Sequence, residues 1–153
     1  MRTYYDLIKE LKTTFEADAN VNTVVTDGFI DMDNYKKNIY PVVDIFVVDE
    51  VFTDSTAATR FNVQITVLDV RDVNKEQVND KFWLNDNRHD NWNLTHNILK
   101  TARDKLVKDI SKSGITVIDA TPAERQIFVK ENTLDGWQQT WTIDNEDRFT
   151  VIC

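Results

Sequence analysis

The stretch YPVVDIFVVDEVFTDSTAATRFNVQITVLDVRD, residues 40–72, decides the fold. Its second half puts Phe61, Val63, Ile65 and Val67 at every other position, with Asn62, Gln64 and Thr66 between them. Successive side chains of extended backbone point to opposite sides, so this alternation makes one apolar and one polar face of a strand. The first half is rich in Val, Ile and Phe, which pack well on a pleated surface. Pro41 has no N–H to give to a ladder and belongs at the start of its strand or at an edge. The polar segment DEVFTDSTAA joins the two halves, which predicts a long antiparallel hairpin with residues 42–48 against 61–67. That connection is longer than a tight turn requires, and such loops commonly carry contacts.

On the N-terminal side, RTYYDLIKELKTTFEAD spaces Tyr4, Leu7, Ile8, Leu11 and Phe15 at three and four residues, the period of an amphipathic helix that should end near Asp18 to Asn20. VNTVVTDGF then reads as a short strand with a turn or bulge at Gly28. Beyond Arg71 the period dissolves through DVNKEQVNDKFWLNDNRHDN, residues 72–91, an irregular loop of the kind that is often functional. Helical spacing resumes at Trp92, Thr95, Leu99, Ala102, Leu106 and Ile110, with Asp90 or Asn91 as the N-cap and Gly114 beyond the end. ITVIDATP and RQIFVKENT read as strands broken at Thr121 and Pro122. Trp137, Gln139, Trp141 and Ile143 alternate with Gln138, Thr140 and Thr142 in a further half-buried strand. The turn-like DNED should link it to a last antiparallel run carrying Phe149, Val151 and Cys153. Helix, strand, hairpin, helix and several strands make an α+β fold, an antiparallel sheet with both helices packed on it. With three Gly, two Pro and no repeat, nothing marks a linker, and residues 1–153 read as one domain.

Composition narrows the function. The chain has 41% hydrophobic and 29% charged residues, the balance of a globular protein, and no apolar run approaches the roughly 20 residues of a bilayer span. The opening MRTYYDLIKE lacks a signal-peptide core, so a cytoplasmic site of synthesis is expected. Net charge is −8, with acidic residues spread throughout, a surface that repels phosphates and does not grip nucleic acid by counterion release. The single Cys can form no internal disulfide.

Motifs for catalysis are missing. His89 and His96 stand seven apart rather than at the i, i+4 spacing of helical metal ligands, and DNRHDN lacks the Gly and terminal Glu of a calcium loop. Gly28, Gly114 and Gly136 are isolated and begin no phosphate-cradling run. No Ser lies in a nucleophile elbow, and acidic pairs such as Asp31 with Asp33 are abundant because the chain is acidic. The expectation is a protein that is not an enzyme, with no cofactor and no metal. Trp92 and Trp141, in phase with apolar neighbours, read as core. Phe82 and Trp83 sit in a polar loop with no periodic core to join, and read as an interface.

The leading amphipathic helix, the long hairpin, the helix DNWNLTHNILKTARDKL and the late DGWQQTWTIDNEDRF strand together resemble the tail terminator and tail completion proteins of tailed bacteriophages, and the related head-to-tail connector ring subunits. The resemblance covers most of the chain as an order of elements. It implies a structural protein of the virion, at the tail or head-tail junction, forming a homo-oligomeric ring (hexamer or dodecamer). It also implies contacts with other phage head-tail or tail proteins, genomic DNA passing through the lumen without specific binding, and no membrane. Contacts between copies or with virion proteins are expected at Glu50, Val51, Phe52, Thr53 and Asp54 and at Phe82 and Trp83. The long loop at residues 72–91 and the ending at Cys153 depart from the pattern. Two other readings stand beside it, a monomeric module that binds a protein through Phe82 and Trp83, and a small enzyme built from scattered carboxylates.

Overall fold

A computed structural model of the chain describes residues 3–27, 39–53, 58–71, 80–83, 87–108, 114–129 and 134–146. Along them run α1 (Tyr4–Glu16), β1 (Thr23–Thr26), β2 (Val42–Val51), β3 (Ala58–Val70), α2 (Arg88–Lys108), β4 (Ile115–Ala120), β5 (Glu124–Val129) and β6 (Leu134–Glu146). The fold is mixed α+β, one six-stranded sheet with two helices packed on it.

Thr3 starts α1 with a capping box. Its hydroxyl accepts from the Asp6 N–H, while the Asp6 carboxylate accepts from the Thr3 N–H at 2.6 Å. Leu7, Leu11 and Phe15 are fully buried. The helix stops at Glu16, short of the expected Asp18 to Asn20, where the Asp18 carboxylate instead accepts from the Asn20 N–H in a local turn.

The sheet order is β1-β2-β3-β6-β4, with β5 also on β6. β1 lies parallel to β2, and every other pairing is antiparallel. The two halves of the hairpin pair antiparallel as expected, with Val43 opposite Val67, Ile45 opposite Ile65 and Val47 opposite Val63, before an irregularity at Val48. Pro41 precedes β2, where it removes no ladder bond. All 13 residues of β6 pair with β3. Its other edge is shared between β4, beside Trp141 to Asn145, and β5, beside Leu134 to Gln138.

Both helices cover one face. Val43, Ile45, Phe61, Val63, Ile65, Val67, Trp141 and Ile143 meet Leu7, Leu11 and Phe15 from α1 and Ile98, Leu99 and Leu106 from α2. Phe15 stacks on Trp141 at 5.9 Å between ring centres. On the opposite face a smaller cluster forms from Tyr40, Val42, Leu68 and Leu134, and the remainder carries hydroxyl and amide pairs such as Thr142 with Asn62 at 2.9 Å.

Two expectations are corrected. DNED makes no turn at its start: Asp144, Asn145 and Glu146 continue β6 opposite Arg60, Thr59 and Ala58. Arg60 forks onto the Asp144 carboxylate at 2.7 and 3.0 Å, and the Asn145 amide donates to the Thr3 carbonyl at 3.1 Å. Distant partners thus satisfy polar side chains that read locally as turn formers. The second helix opens at Arg88, so Asp90 and Asn91 lie in its first turn and His89 within it. The Asn91 amide faces inward and donates to the Val70 carbonyl at 2.9 Å, docking the helix on the end of β3. Ile110, Phe149, Val151 and Cys153 lie outside the described residues.

Candidate functional site

Two surfaces at opposite ends of the sheet carry the Phe82–Trp83 pair and Phe52, and Tyr5, at 81%, with Tyr4 and Phe46 is exposed as well. The first begins with Phe82 and Trp83, which are 73% and 58% exposed. Asp80 shapes their turn, its carboxylate accepting from both the Phe82 and the Trp83 N–H. The two rings meet edge to face at 4.9 Å. Trp83 meets His89 at 5.5 Å and His89 meets Trp92 at 5.3 Å, again edge to face. The Arg125 guanidinium from β5 lies 4.4 Å from the centre of the Trp92 ring, close enough for a cation–π attraction, and that of Arg88 lies at 5.3 Å.

This ladder is anchored inward. The Trp92 indole N–H donates to the Gln126 carbonyl at 3.1 Å, and the Trp137 indole N–H donates to the Trp92 carbonyl at 2.9 Å. Trp92 is buried, in agreement with its apolar phase, whereas Phe82 and Trp83 project from the anchored part. Beneath lies a buried ion pair, in which the Arg71 guanidinium donates from Nε to Asp135 at 2.6 Å and also from a terminal nitrogen. Carboxylate and guanidinium are matched in a fork, which holds the end of β3 to the start of β6.

The second surface is the far end of the hairpin. Glu50 and Val51 are not in the loop, as the sequence suggests, but in β2, opposite Phe61 and Arg60. The strand runs further than its apolar stretch because its backbone keeps pairing with β3. Asp49 and Glu50 are exposed, Phe52 is 89% exposed, and the Thr53 hydroxyl donates to the Ala58 carbonyl at 3.2 Å. The Asn62 amide donates to the Asp49 carboxylate at 2.8 Å and fixes it on the Asn62 side of the hairpin. Asp54 lies outside the described residues.

The six described residues of the seven expected at an interface fall into two separate groups. His89 and Arg125 complete the first group and were not visible in the sequence reading. Arg125 lies on a different element from Trp92, and no local period connects them.

Other features offer less chemistry. Among the described residues no group of three or more His, Cys, Asp or Glu side chains is placed to hold a metal ion. His96 packs against the Trp137 ring at 5.2 Å. An open cleft of about 350 Å3 between the end of α1 and α2 is lined by Thr14, Asp18, Thr101 and Lys105 with three alanines, mostly apolar contact and one charge of each sign. Among the described residues no helix is long and apolar enough to cross a membrane. No protein-family model matches the chain, and no curated protein matches it.

Proposed function

We propose that the chain is a structural subunit of a tailed-bacteriophage virion that forms a homo-oligomeric ring at the head-tail junction, as a tail terminator or a connector ring. The observation that carries this reading is the placement of large exposed aromatics on two anchored surfaces at opposite ends of one sheet, Phe52 on one and Phe82 with Trp83 on the other. A ring needs a heterologous contact, in which one patch of each copy meets a different patch of the next. Exposed aromatic rings on a rigid support are what such contacts use as anchors. A net charge of −8 suits a lumen through which DNA slides, because a negative wall repels phosphates. In this role the ring meets other head-tail or tail proteins on its two flat sides, and genomic DNA passes through its lumen without specific binding.

A monomeric module that captures a protein through Phe82 and Trp83 would use the same exposed pair. Mass separates the two. Light scattering and negative-stain images of the purified chain, alone and with tail tubes assembled without it, should reveal closed rings or rings capping the tubes. Replacing Phe82 and Trp83 together by Ser should leave the thermal transition nearly unchanged, within the roughly 0.5 kcal/mol typical of surface changes, while weakening assembly. A monomer under both conditions would sink the ring reading. A marked fall in melting temperature with intact assembly would place the pair in the core.

A further inference from the structure

We propose that the partner of the Phe82–Trp83 ladder is the hairpin end of a second copy of this chain, so that copies join head to tail along the sheet. The inference rests on the ring reading for its biological setting, but its geometry is separate. The hairpin end presents Asp49, Glu50 and Phe52, all exposed, with Asp49 held by Asn62. Arg60, opposite Val51, is occupied by Asp144. That surface is acidic with an aromatic point. The ladder presents the reverse combination, aromatic edges beside the exposed cations Lys81 and Arg125. Among the described residues the exposed carboxylates near them in sequence are Asp80, Asp90 and Glu124. Asp80 is turned into its own turn, and Glu124 registers with Gln138, on the opposite sheet face from Arg125, which registers with Trp137.

Geometry completes the match. Val51 pairs with Arg60 near one end of β3, and the ladder docks at Val70 at the other. Ten residues of extended chain span roughly 33 Å, so one copy cannot close the two surfaces on each other. Opposite charges at opposite poles favour head-to-tail docking and disfavour the two like-with-like arrangements, since like charges placed together are repelled. Phe52 would insert among the ring edges of Phe82 and Trp83, while Asp49 and Glu50, on opposite faces of β2, flank it with negative charge for Lys81 and Arg125 to meet.

The test uses two full-length variants, one reversing the hairpin end (Asp49→Lys with Glu50→Lys) and one reversing the ladder (Lys81→Glu with Arg125→Glu). Each should weaken self-association by at least about tenfold in analytical ultracentrifugation, with an unchanged circular dichroism spectrum and thermal transition. Mixing the two should restore association, because the reversed end of one then matches the reversed ladder of the other and the unaltered surfaces also match. A third variant, Phe52→Ser, keeps the charges and should also weaken association. If the wild type assembles and the variants assemble as well as it does, the pairing is wrong while the ring reading survives. If the wild type forms open filaments that both variants disrupt and the mixture restores, the pairing stands and the ring reading fails. A wild type that stays monomeric at its highest soluble concentration overturns the pairing.

Discussion

Arg71 and Asp135 lie 64 residues apart in the chain and make two short bonds between side chains that are 2% and 0% exposed. Removing one partner strands a charge in a dry site, so Asp135→Ala should lower stability by about 3–5 kcal/mol in urea unfolding. Replacing both, Arg71→Met with Asp135→Leu, should cost much less, because no unpaired charge remains. Equal losses in the two variants would mean that shape, not charge, decides this position. Asp69 gives a pH signature nearby. Burial raises its carboxyl above the ordinary value of 3.8, against the lowering effect of the Val70 N–H it accepts. The folded state thus keeps a proton that the unfolded chain has lost, so the contribution of this group is largest below 3.8 and fades as pH rises through its raised value. Asp69→Asn should gain on the wild type in urea midpoint as pH goes from below that value to neutral. A pH-independent difference would show that the carboxyl titrates normally. None of these three residues was marked in the sequence, where an Arg and two Asp in an acidic chain look like surface. Only their distant neighbours bury them.

At the scale of elements, β6 is the strand on which the sheet depends, and Gly136 is its tightest point. A side chain there would run directly onto the carbonyl oxygen of Val67 in β3 and crowd Leu68. Gly136→Ala should therefore cost about 1–3 kcal/mol or more, the range for forcing atoms into a packed site, measured by thermal and urea unfolding. A loss under about 0.5 kcal/mol would mean that the strands part easily, since that is the range of harmless surface changes. The apolar period of Phe61 to Val67 and of Trp137 to Ile143 was legible because each strand has one buried face. The continuation through Asp144 to Glu146 was not. Asp and Asn favour turns by bonding their own backbone, and here Arg60 and Thr3 supply partners that no local pattern contains. The start of α2 was misplaced for the same reason, since Asn91 spends its amide on Val70 rather than on a cap.

For the whole molecule, fold class and hairpin were legible, but the placement of Phe52 at one pole and of Phe82 with Trp83 at the other was not. Phe52, Phe82 and Trp83 could be singled out one by one, yet their separation follows from strand direction and from where α2 docks. The same layout sets where the fold is strongest. β3 and β6 are paired along their whole length, with further strands on their outer edges, whereas β1 pairs through four residues. Amide hydrogen exchange should be slowest in the middle of β3 and β6 and faster in β1, because local opening is easiest where few bonds and contacts must break. Uniform protection across the sheet would refute this ranking.

The order of strands has a consequence during synthesis. β3 lies next to β2, which precedes it, and next to β6, which is made 64 residues later by the measure of the Arg71–Asp135 pair. At a translation rate of about 5–20 residues per second, that interval is roughly 3–13 s. Throughout it the nascent hairpin holds out an unpaired, largely apolar strand edge to whatever lies near the ribosome exit, including the same edge on the next chain of a polysome. Chaperones that shield extended apolar segments therefore have a defined window in which to act, and it closes when Leu134 to Glu146 emerge and dock.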